Sequence, residues 1–204
     1  SYEKVGKGPA VLLLHGWGDS HATFNQLSDV LKPRNTIVAV DLPGFGGTQA
    51  PKSAWGLNEY CEFVAKFLEK IDSTKLYGVI GHSNGGAIAI RALAKGEIRS
   101  EKLILLASAG VRDTYKSRKK ILRLAAKAAK VATYPLPKPM QDKLKRKAYK
   151  SIGSEMFVVG HMQETFKKVL EDDVQADARQ LKIPVMLLYG SEDTATPPSY
   201  GELF

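Results

Sequence analysis

A serine inside a glycine-flanked turn is the residue best placed for chemistry in this sequence. The segment Gly81–Gly85 has the pattern G-x-S-x-G and stands directly between an apolar run and a helical pattern. A sharp strand-to-helix turn holds its central residue in a strained backbone conformation, so that the Ser83 hydroxyl projects above the sheet. The helix that follows supplies amides and a dipole that favour a developing oxyanion. This spacing predicts a nucleophilic serine, the alternative being a structural turn that holds an incidental one.

Short apolar runs separated by helical patterns would position this turn. The runs predict strands at Ala10–Leu14, Thr36–Val40, Leu76–Ile80, Leu103–Leu106 and Val185–Tyr189. They do not alternate between apolar and polar residues, as a parallel sheet buried on both faces requires. A helix is predicted from an N-cap near Asn58, because apolar residues then recur at the spacing of one helical face as far as Ile71. The fold class is therefore α/β, with a mostly parallel central sheet flanked by helices.

The regular pattern breaks after Gly110. Residues 111–178 are rich in charge, helical in pattern and interrupted by prolines. A chain of 204 residues suits one domain with such an insertion. We therefore predict a mainly helical cap over 111–178, inserted into a core made of residues 1–110 and 179–204.

The positive charge is concentrated in this predicted cap. Residues 111–150 hold 14 Lys or Arg against two acidic residues, a net charge of +12, whereas the whole chain carries +9 and the remainder therefore −3. Within them, Arg118–Val131 has the pattern of a basic amphipathic helix. It fits either the solvated outer face of a packed helix or contact with an anionic membrane surface. Nucleic acid is disfavoured as a partner, because no aromatic residues alternate with the charges and no nucleic-acid-binding fingerprint is present.

Four segments, in their order along the chain, resemble a known family: His15–Gly18, Asp41–Gly46, Gly81–Gly86 and Gly190–Asp193. They are similar to the corresponding motifs of the α/β-hydrolase fold family, and the resemblance runs over essentially the whole chain. It implies a nucleophilic Ser83 and a triad acid at Asp193, whose carboxylate would orient a histidine. Asp113 is the alternative acid. The resemblance also implies an oxyanion hole made by the backbone N–H groups of Trp17 and Asn84.

A serine nucleophile in this family implies a hydrolase of the carboxylesterase kind, acting on a small-molecule carboxylic ester or related acyl substrate. It argues against the relatives that use aspartate, the haloalkane dehalogenases and epoxide hydrolases, and against the cysteine-using dienelactone hydrolases. Lipid, amide and carbon–carbon bond hydrolysis stay open, as does cofactor-free perhydrolysis. The chain contains no CxxC, HExxH, P-loop or dinucleotide fingerprint, so no cofactor and no catalytic metal is expected.

The family supplies its catalytic histidine after a further helix and a last strand. Eleven residues follow Asp193, too few for a helix, a strand and a loop, so we expect this histidine to lie outside the sequence. Its absence favours, as an alternative function, a catalytically impaired member of the family that binds a ligand or a partner. The segment Ser1–Val5 resembles the end of an early antiparallel strand, so both chain ends look shortened, and this predicts a fragment.

The histidines that are present have other expected roles. His15 is expected to be a structural hydrogen-bonding residue, and the side chain of His82 to point away from the nucleophile's pocket. His21 lies near the mouth of the expected site, whereas His161 lies in the cap, where it is also a candidate for an unorthodox base. The predicted pocket residues are His21, Phe24, Met156 and His161.

A single cysteine and short apolar runs set the expected compartment. Cys61 cannot form an intramolecular disulfide, which fits a reducing environment. The apolar runs are too short to span a bilayer, and no signal-peptide pattern opens the chain. A cytoplasmic location is predicted.

Overall fold

The computed structural model describes residues 1–112 and 160–204. Seven strands of these residues form one sheet, in the order β1-β3-β2-β4-β6-β7, with the short β5 paired to β4. The strands predicted from apolar runs are confirmed, some ends shifting by one or two residues. Two further strands, β1 and β5, were not among the predicted apolar runs. The seven strands are β1 (Tyr2–Gly6), β2 (Ala10–Leu14), β3 (Thr36–Val40), β4 (Lys75–His82), β5 (Arg99–Ser100), β6 (Leu103–Leu106) and β7 (Val185–Leu188).

The sheet is parallel apart from β1. This first strand runs antiparallel to β3, with Tyr2 opposite Val40, whereas β2 pairs in parallel with both β3 and β4. The chain moves outward from β2 to β3 and then returns to β4 on the other side of β2. In open α/β sheets, ligands bind outside the carboxyl ends of the strands at such a reversal. Leu14 and Gly81 are register partners at the ends of β2 and β4, and they mark this place.

Six helices lie within the described residues, and one turn of 3₁₀ helix, His21–Phe24, precedes the first. The N-cap of the second helix is Gly56, so the prediction of a cap near Asn58 was wrong by two residues. The Gly56 N–H donates to the Glu59 carboxylate at 2.8 Å, and the Leu57 N–H donates to Asp172 Oδ2 at 3.0 Å. Carboxylates therefore satisfy the first turn of this helix. The helices are α1 (Asn25–Leu31), α2 (Leu57–Lys70), α3 (Asn84–Ala94), α4 (Gly160–Glu171), α5 (Gln175–Ala178) and α6 (Pro198–Leu203).

Apolar side chains are buried on both faces of the central strands. On one face, Leu12 and Leu14 belong to the cluster that includes the apolar sides of α2 and α3. On the other face, Leu13 and Ile37 pack in a second cluster that contains Phe24. Burial on both faces is the physical reason why these strands read as unbroken apolar runs.

The last strand departs from this pattern. Within the described residues β7 lies at the edge of the sheet, and its side chains are between 37% (Leu187) and 55% (Met186) exposed. Among the described strands, β7 is therefore not buried on both faces as we expected from its apolar sequence, although the predicted strand does form.

The predicted cap is described only in part. Residues 113–159 lie outside the described residues, and with them the basic pattern at Arg118–Val131, its membrane contact and Met156. Residues 160–178 contain α4 and α5. Among the helices that the structure describes, none has the length and apolarity needed to cross a membrane.

Candidate active site

Ser83 occupies the turn between β4 and α3 in a backbone conformation that is rare for a residue with a side chain. Its φ is 50° and its ψ is −117°. The Ser83 N–H donates to the Leu106 carbonyl at 3.0 Å, and the Ala109 N–H donates to the Ser83 carbonyl at 3.0 Å. Such a conformation costs about 1–3 kcal/mol and persists only where the surroundings enforce it. The predicted sharp turn around this serine is therefore present.

Three glycines make this turn possible because no side chain fits at their positions. A Cβ on Gly81 would lie 2.6 Å from Gly86 Cα. A Cβ on Gly85 would lie 2.7 Å from the His15 carbonyl oxygen, and one on Gly86 would lie 2.8 Å from Ser108 Cβ. The start of α3 is thus pressed against the ends of β2 and β4, and Ser83 is held where these elements meet.

His15 holds the loop after β2 beside the serine. It is fully buried, its Nε2 accepts the Leu42 N–H at 2.9 Å, and its Nδ1 therefore donates to the Gly16 carbonyl at 2.7 Å. Burial lowers the pKa of His15, which fits this neutral tautomer. A Cβ on Gly16 would lie 3.2 Å from Ser83 Cβ, so this loop runs directly past the serine towards Trp17. The expected structural role of His15 agrees with these contacts.

Asn84 and Trp17 are the residues whose N–H groups were predicted to form an oxyanion hole. Asn84 is the first residue of α3, so its N–H has no acceptor within the helix. Its side chain is buried, and neither its oxygen nor its nitrogen has a hydrogen-bond partner among the described residues. The Trp17 indole packs against Phe45 and Phe166, with ring centroids 4.8 and 4.9 Å apart, and its Nε1 also lacks a described partner.

Asp41 holds His21 at the start of the 3₁₀ turn. Asp41 Oδ1 accepts the His21 N–H and the His21 Nδ1 proton, each at 2.7 Å, while Asp41 Oδ2 accepts the Gly47 N–H at 2.8 Å. Burial alone raises the pKa of Asp41, but the hydrogen bonds from His21 and Gly47 outweigh it and bring the pKa to about 2. His21 was a predicted pocket residue, and with Nδ1 engaged only its Nε2 is left for a substrate.

Asp193 lies in the turn that follows β7. One carboxylate oxygen accepts the N–H groups of Ala195 and Thr196 at 2.8 and 2.9 Å, and the other accepts the Thr196 hydroxyl at 2.9 Å. Partial burial raises the pKa of Asp193, but these hydrogen bonds from Thr196 and Ala195 prevail, and the pKa lies below its usual value. The residue is therefore a carboxylate in a fixed turn, as a triad acid would need to be.

His82 contacts the loop after β2, which sequence reasoning did not predict. A Cβ on Gly16 would lie 3.0 Å from His82 Nδ1, and this nitrogen has no hydrogen-bond partner among the described residues. Burial lowers the pKa of His82, and the charges of Asp19 and Asp193 oppose that shift. Because burial prevails over these two charges, the His82 imidazole is neutral where it lies beside Gly16. No signal in the sequence reveals these neighbours, because they come from separate loops.

Helix α4 packs over the loops that follow β2 and β3. Phe166 contacts Trp17, and the Met162 sulfur would lie 2.8 Å from a Cβ on Gly44, which has a φ of 95°. Its far end is fixed to α3, because Arg91 Nε donates to Asp177 Oδ2 at 3.0 Å and pairs with Asp172. Sequence reasoning predicted Trp17 at the site but missed its partner Phe166 and the ion pairs of Arg91.

The remaining pocket predictions stay open. Phe24 is 3% exposed and packs in the second apolar cluster of the core. His161 lies in α4, but its side chain is outside the description, and Met156 lies outside the described residues altogether. In residues 1–112 and 160–204, no group of three or more His, Cys, Asp or Glu side chains is placed to hold a metal ion.

Comparison with known proteins places these features in a wider group. A family model described as the alpha/beta hydrolase fold matches residues 9–204. An uncharacterised protein of Mycobacterium tuberculosis is 25% identical over 231 residues, which cover 100% of this chain and 67% of that protein. A pimeloyl-[acyl-carrier protein] methyl ester esterase of Chromobacterium violaceum is 28% identical over 214 residues, covering 98% of this chain and 82% of that enzyme.

A solved structure gives the same result for the fold. An esterase of Exiguobacterium antarcticum superposes with a TM-score of 0.75 at 21% sequence identity, covering 99% of this chain and 81% of the esterase. At this level of identity the likeness bears on the fold alone.

Proposed function

The chain belongs to the α/β-hydrolase fold family, and on that premise we propose that it is a serine hydrolase that cleaves a carboxylic ester or related acyl substrate through an acyl-enzyme on Ser83. The observation that carries the proposal is the positive φ of 50° at Ser83. A strained turn built around a serine by three obligatory glycines has a use when the hydroxyl must stand clear of the sheet. A relative named as a methyl ester esterase supports an ester as the substrate.

The proposed reaction has two acyl-transfer steps. A general base removes the Ser83 Oγ proton as Oγ bonds to the carbonyl carbon, and the proton passes to the leaving alcohol as the ester carbon–oxygen bond breaks. Water then loses a proton to the same base and adds to the acyl-enzyme, after which Ser83 leaves and recovers a proton. In both steps the N–H groups of Trp17 and Asn84 would hold the carbonyl oxygen as it becomes negative. Their places, on two loops that meet at Ser83, support this role.

Asp193 would orient the base and stabilise its charged form. Its carboxylate is ionised and fixed by Thr196 and Ala195, and it can still accept one further N–H. Both ring nitrogens of His15 are engaged by backbone groups, and His21 Nδ1 is engaged by Asp41. We therefore assign the base to a histidine other than His15, because a carboxylate on Nδ1, as in His21, still leaves Nε2 able to take a proton.

The alternative is a member of the family that binds a ligand or a partner without turnover. The engagement of both ring nitrogens of His15 by backbone groups is the observation that favours it. Ligand binding with no Ser83-dependent hydrolysis would support this alternative.

The test is hydrolysis of a series of p-nitrophenyl esters, with and without added imidazole, which can stand in for a base. We expect Ser83→Ala to lower the enzymatic rate of hydrolysis, measured above the uncatalysed background, by about 10³-fold or more. Asp193→Asn should lower the same rate by a smaller factor. Asp29→Asn is the matched control, because Asp29 is an exposed carboxylate paired with Lys32. Equal hydrolysis by the parent chain and Ser83→Ala would contradict the proposal.

A further inference from the structure

Buried polar atoms without partners are concentrated around Ser83. Within the described residues, six buried side-chain nitrogen or oxygen atoms lack a hydrogen-bond partner. Four of the six belong to three residues around Ser83. His82 and Asn84 are its neighbours in the chain, and Trp17 lies on the loop after β2. Folded proteins satisfy the large majority of their buried polar groups. A cluster of exceptions beside a nucleophile therefore needs a physical explanation.

Asn84 is the centre of this cluster. It is 3% exposed, directly follows Ser83 and leaves both its Oδ1 and its Nδ2 unpaired among the described residues. A Cβ on the next residue, Gly85, would touch the end of β2, and a Cβ on Gly16 would touch Ser83. The start of α3, which carries Asn84, and the loop after β2, which leads to Trp17, therefore meet at Ser83, and the seam is defined as the junction between these two segments.

We propose that the side chains of Asn84 and Trp17 form a polar subsite that binds a neutral hydrogen-bonding group, such as a hydroxyl, on the acyl part of the substrate. The proposal rests on the proposed function of Ser83 and specifies its substrate class. Asn84 offers a carbonyl acceptor and an NH₂ donor, and Trp17 offers one N–H donor. A hydroxyl can donate to the first and accept from the others, whereas a hydrocarbon chain leaves all of them unpaired.

The charges around the seam favour a neutral group over an anionic one. The low pKa values of Asp41 and Asp193 keep both carboxylates ionised. Burial keeps His15 and His82 neutral, so these two histidines supply no positive charge. An acyl chain that carries a carboxylate would meet like charge here, while a hydroxyl would not.

The experiment measures binding and needs no turnover. Three unreactive ketones imitate the substrate carbonyl: methyl propyl ketone, its β-hydroxy analogue and levulinate, which carries a carboxylate. Two-dimensional proton–nitrogen NMR spectra follow the Asn84 side-chain NH₂ and the Trp17 indole N–H, which is readily assigned because the chain has two tryptophans. The proteins compared are the parent chain, Asn84→Leu, Trp17→Phe and the control Ser28→Ala, which removes another unpaired buried oxygen, in α1.

We expect both signals to shift on titration and the hydroxy ketone to bind about fivefold more tightly than the plain ketone. Asn84→Leu should bring this ratio close to one, Trp17→Phe should reduce it, and Ser28→Ala should leave it unchanged. Equal binding of the two ketones by the parent chain, an unchanged ratio in Asn84→Leu, or tightest binding of levulinate would each overturn the proposal.

These outcomes are separate from those of the hydrolysis test. Ser83-dependent hydrolysis together with equal ketone binding would contradict the subsite alone. Absence of hydrolysis together with selective ketone binding would contradict the proposed function while leaving the ligand class in place. Dispersed NMR spectra of each variant show that it has folded, so a loss of selectivity in a folded Asn84→Leu is a property of the side chain.

Discussion

Asp41 Oδ1 accepts two hydrogen bonds from His21, one from its backbone N–H and one from Nδ1, both at 2.7 Å. Because Asp41 Oδ2 also accepts the Gly47 N–H, a single buried carboxylate joins the loop after β3 to the 3₁₀ turn that follows the Trp17 loop. The neighbouring Leu42 N–H donates to His15 Nε2, so the loop after β3 is also tied to the end of β2 beside Ser83.

This carboxylate predicts an acid-sensitive part of the folding stability. The pKa of Asp41 is about 2 in the folded chain against a reference value of 3.8, so its contribution of about 2 kcal/mol is complete above pH 4 and is lost as the pH falls towards 2. Asp41→Asn should remove this amount at neutral pH, because its NH₂ would face the Gly47 N–H. Urea unfolding at a series of pH values measures the difference, which should shrink below pH 4. Asp29→Asn, on the surface, should show little effect, and a difference for Asp41→Asn that is independent of pH would contradict the argument.

The glycine at the end of β4 should be irreplaceable, whereas another glycine in the same strand should not. A Cβ at Gly81 would lie 2.6 Å from Gly86 Cα, while a Cβ at Gly78 would make only an ordinary contact of 3.9 Å with Val11. We expect Gly81→Ala to lower the free energy of unfolding by about 3 kcal/mol or to prevent folding, and Gly78→Ala to be nearly neutral. Thermal unfolding compares the two, and equal stabilities would show that the turn tolerates a side chain.

The strain at Ser83 predicts an unusual order of stability among inactive variants. Ser83 has a φ of 50°, which glycine adopts more readily than alanine. Ser83→Gly should therefore be about 1 kcal/mol more stable than Ser83→Ala. Lys95, with a φ of −77°, supplies the opposite comparison, since Lys95→Gly should be less stable than Lys95→Ala. The same sign at both positions in urea unfolding would argue against strain at the serine.

The ion pairs of Arg91 should hold α4 in place over the loops that follow β2 and β3. Its guanidinium is largely buried, and it contacts Asp172, Asp177 and the Asp173 carbonyl. Arg91→Met should cost about 3 kcal/mol, because it leaves two partly buried carboxylates without their counter-charge. Backbone amides of α4 should exchange hydrogen faster in Arg91→Met than in the parent chain, whereas amides of the central strands should change less.

The control for Arg91 is Lys66→Met, which breaks an exposed ion pair with Glu62 and should change little. Unaltered exchange in α4 of Arg91→Met would mean that the contacts of Met162 and Phe166 suffice to hold this helix.

The parallel strands and the serine turn could be predicted because their causes are local. A strand buried on both faces has an unbroken apolar sequence, so the ends of β2 and β3 were predicted to the exact residue. Steric exclusion at Gly81 and Gly85 gives the G-x-S-x-G pattern, and the observed φ of Ser83 confirms the strained turn.

The surroundings of the serine could not be predicted because they depend on distant residues. Arg91 and Asp172 are 81 positions apart, and Trp17 and Phe166 are 149 positions apart. Pattern reasoning also placed the cap of α2 at Asn58, since it could not know that the carboxylates of Glu59 and Asp172 satisfy a helix that begins after Gly56.

The most direct test of the central claim is the intact mass of the protein after treatment with a fluorophosphonate, which phosphonylates activated serines. We predict a single adduct that peptide mapping places on Ser83, formed faster when imidazole is added, and absent from Ser83→Ala. No adduct in the presence of imidazole, or an adduct that persists in Ser83→Ala, would contradict a nucleophilic Ser83.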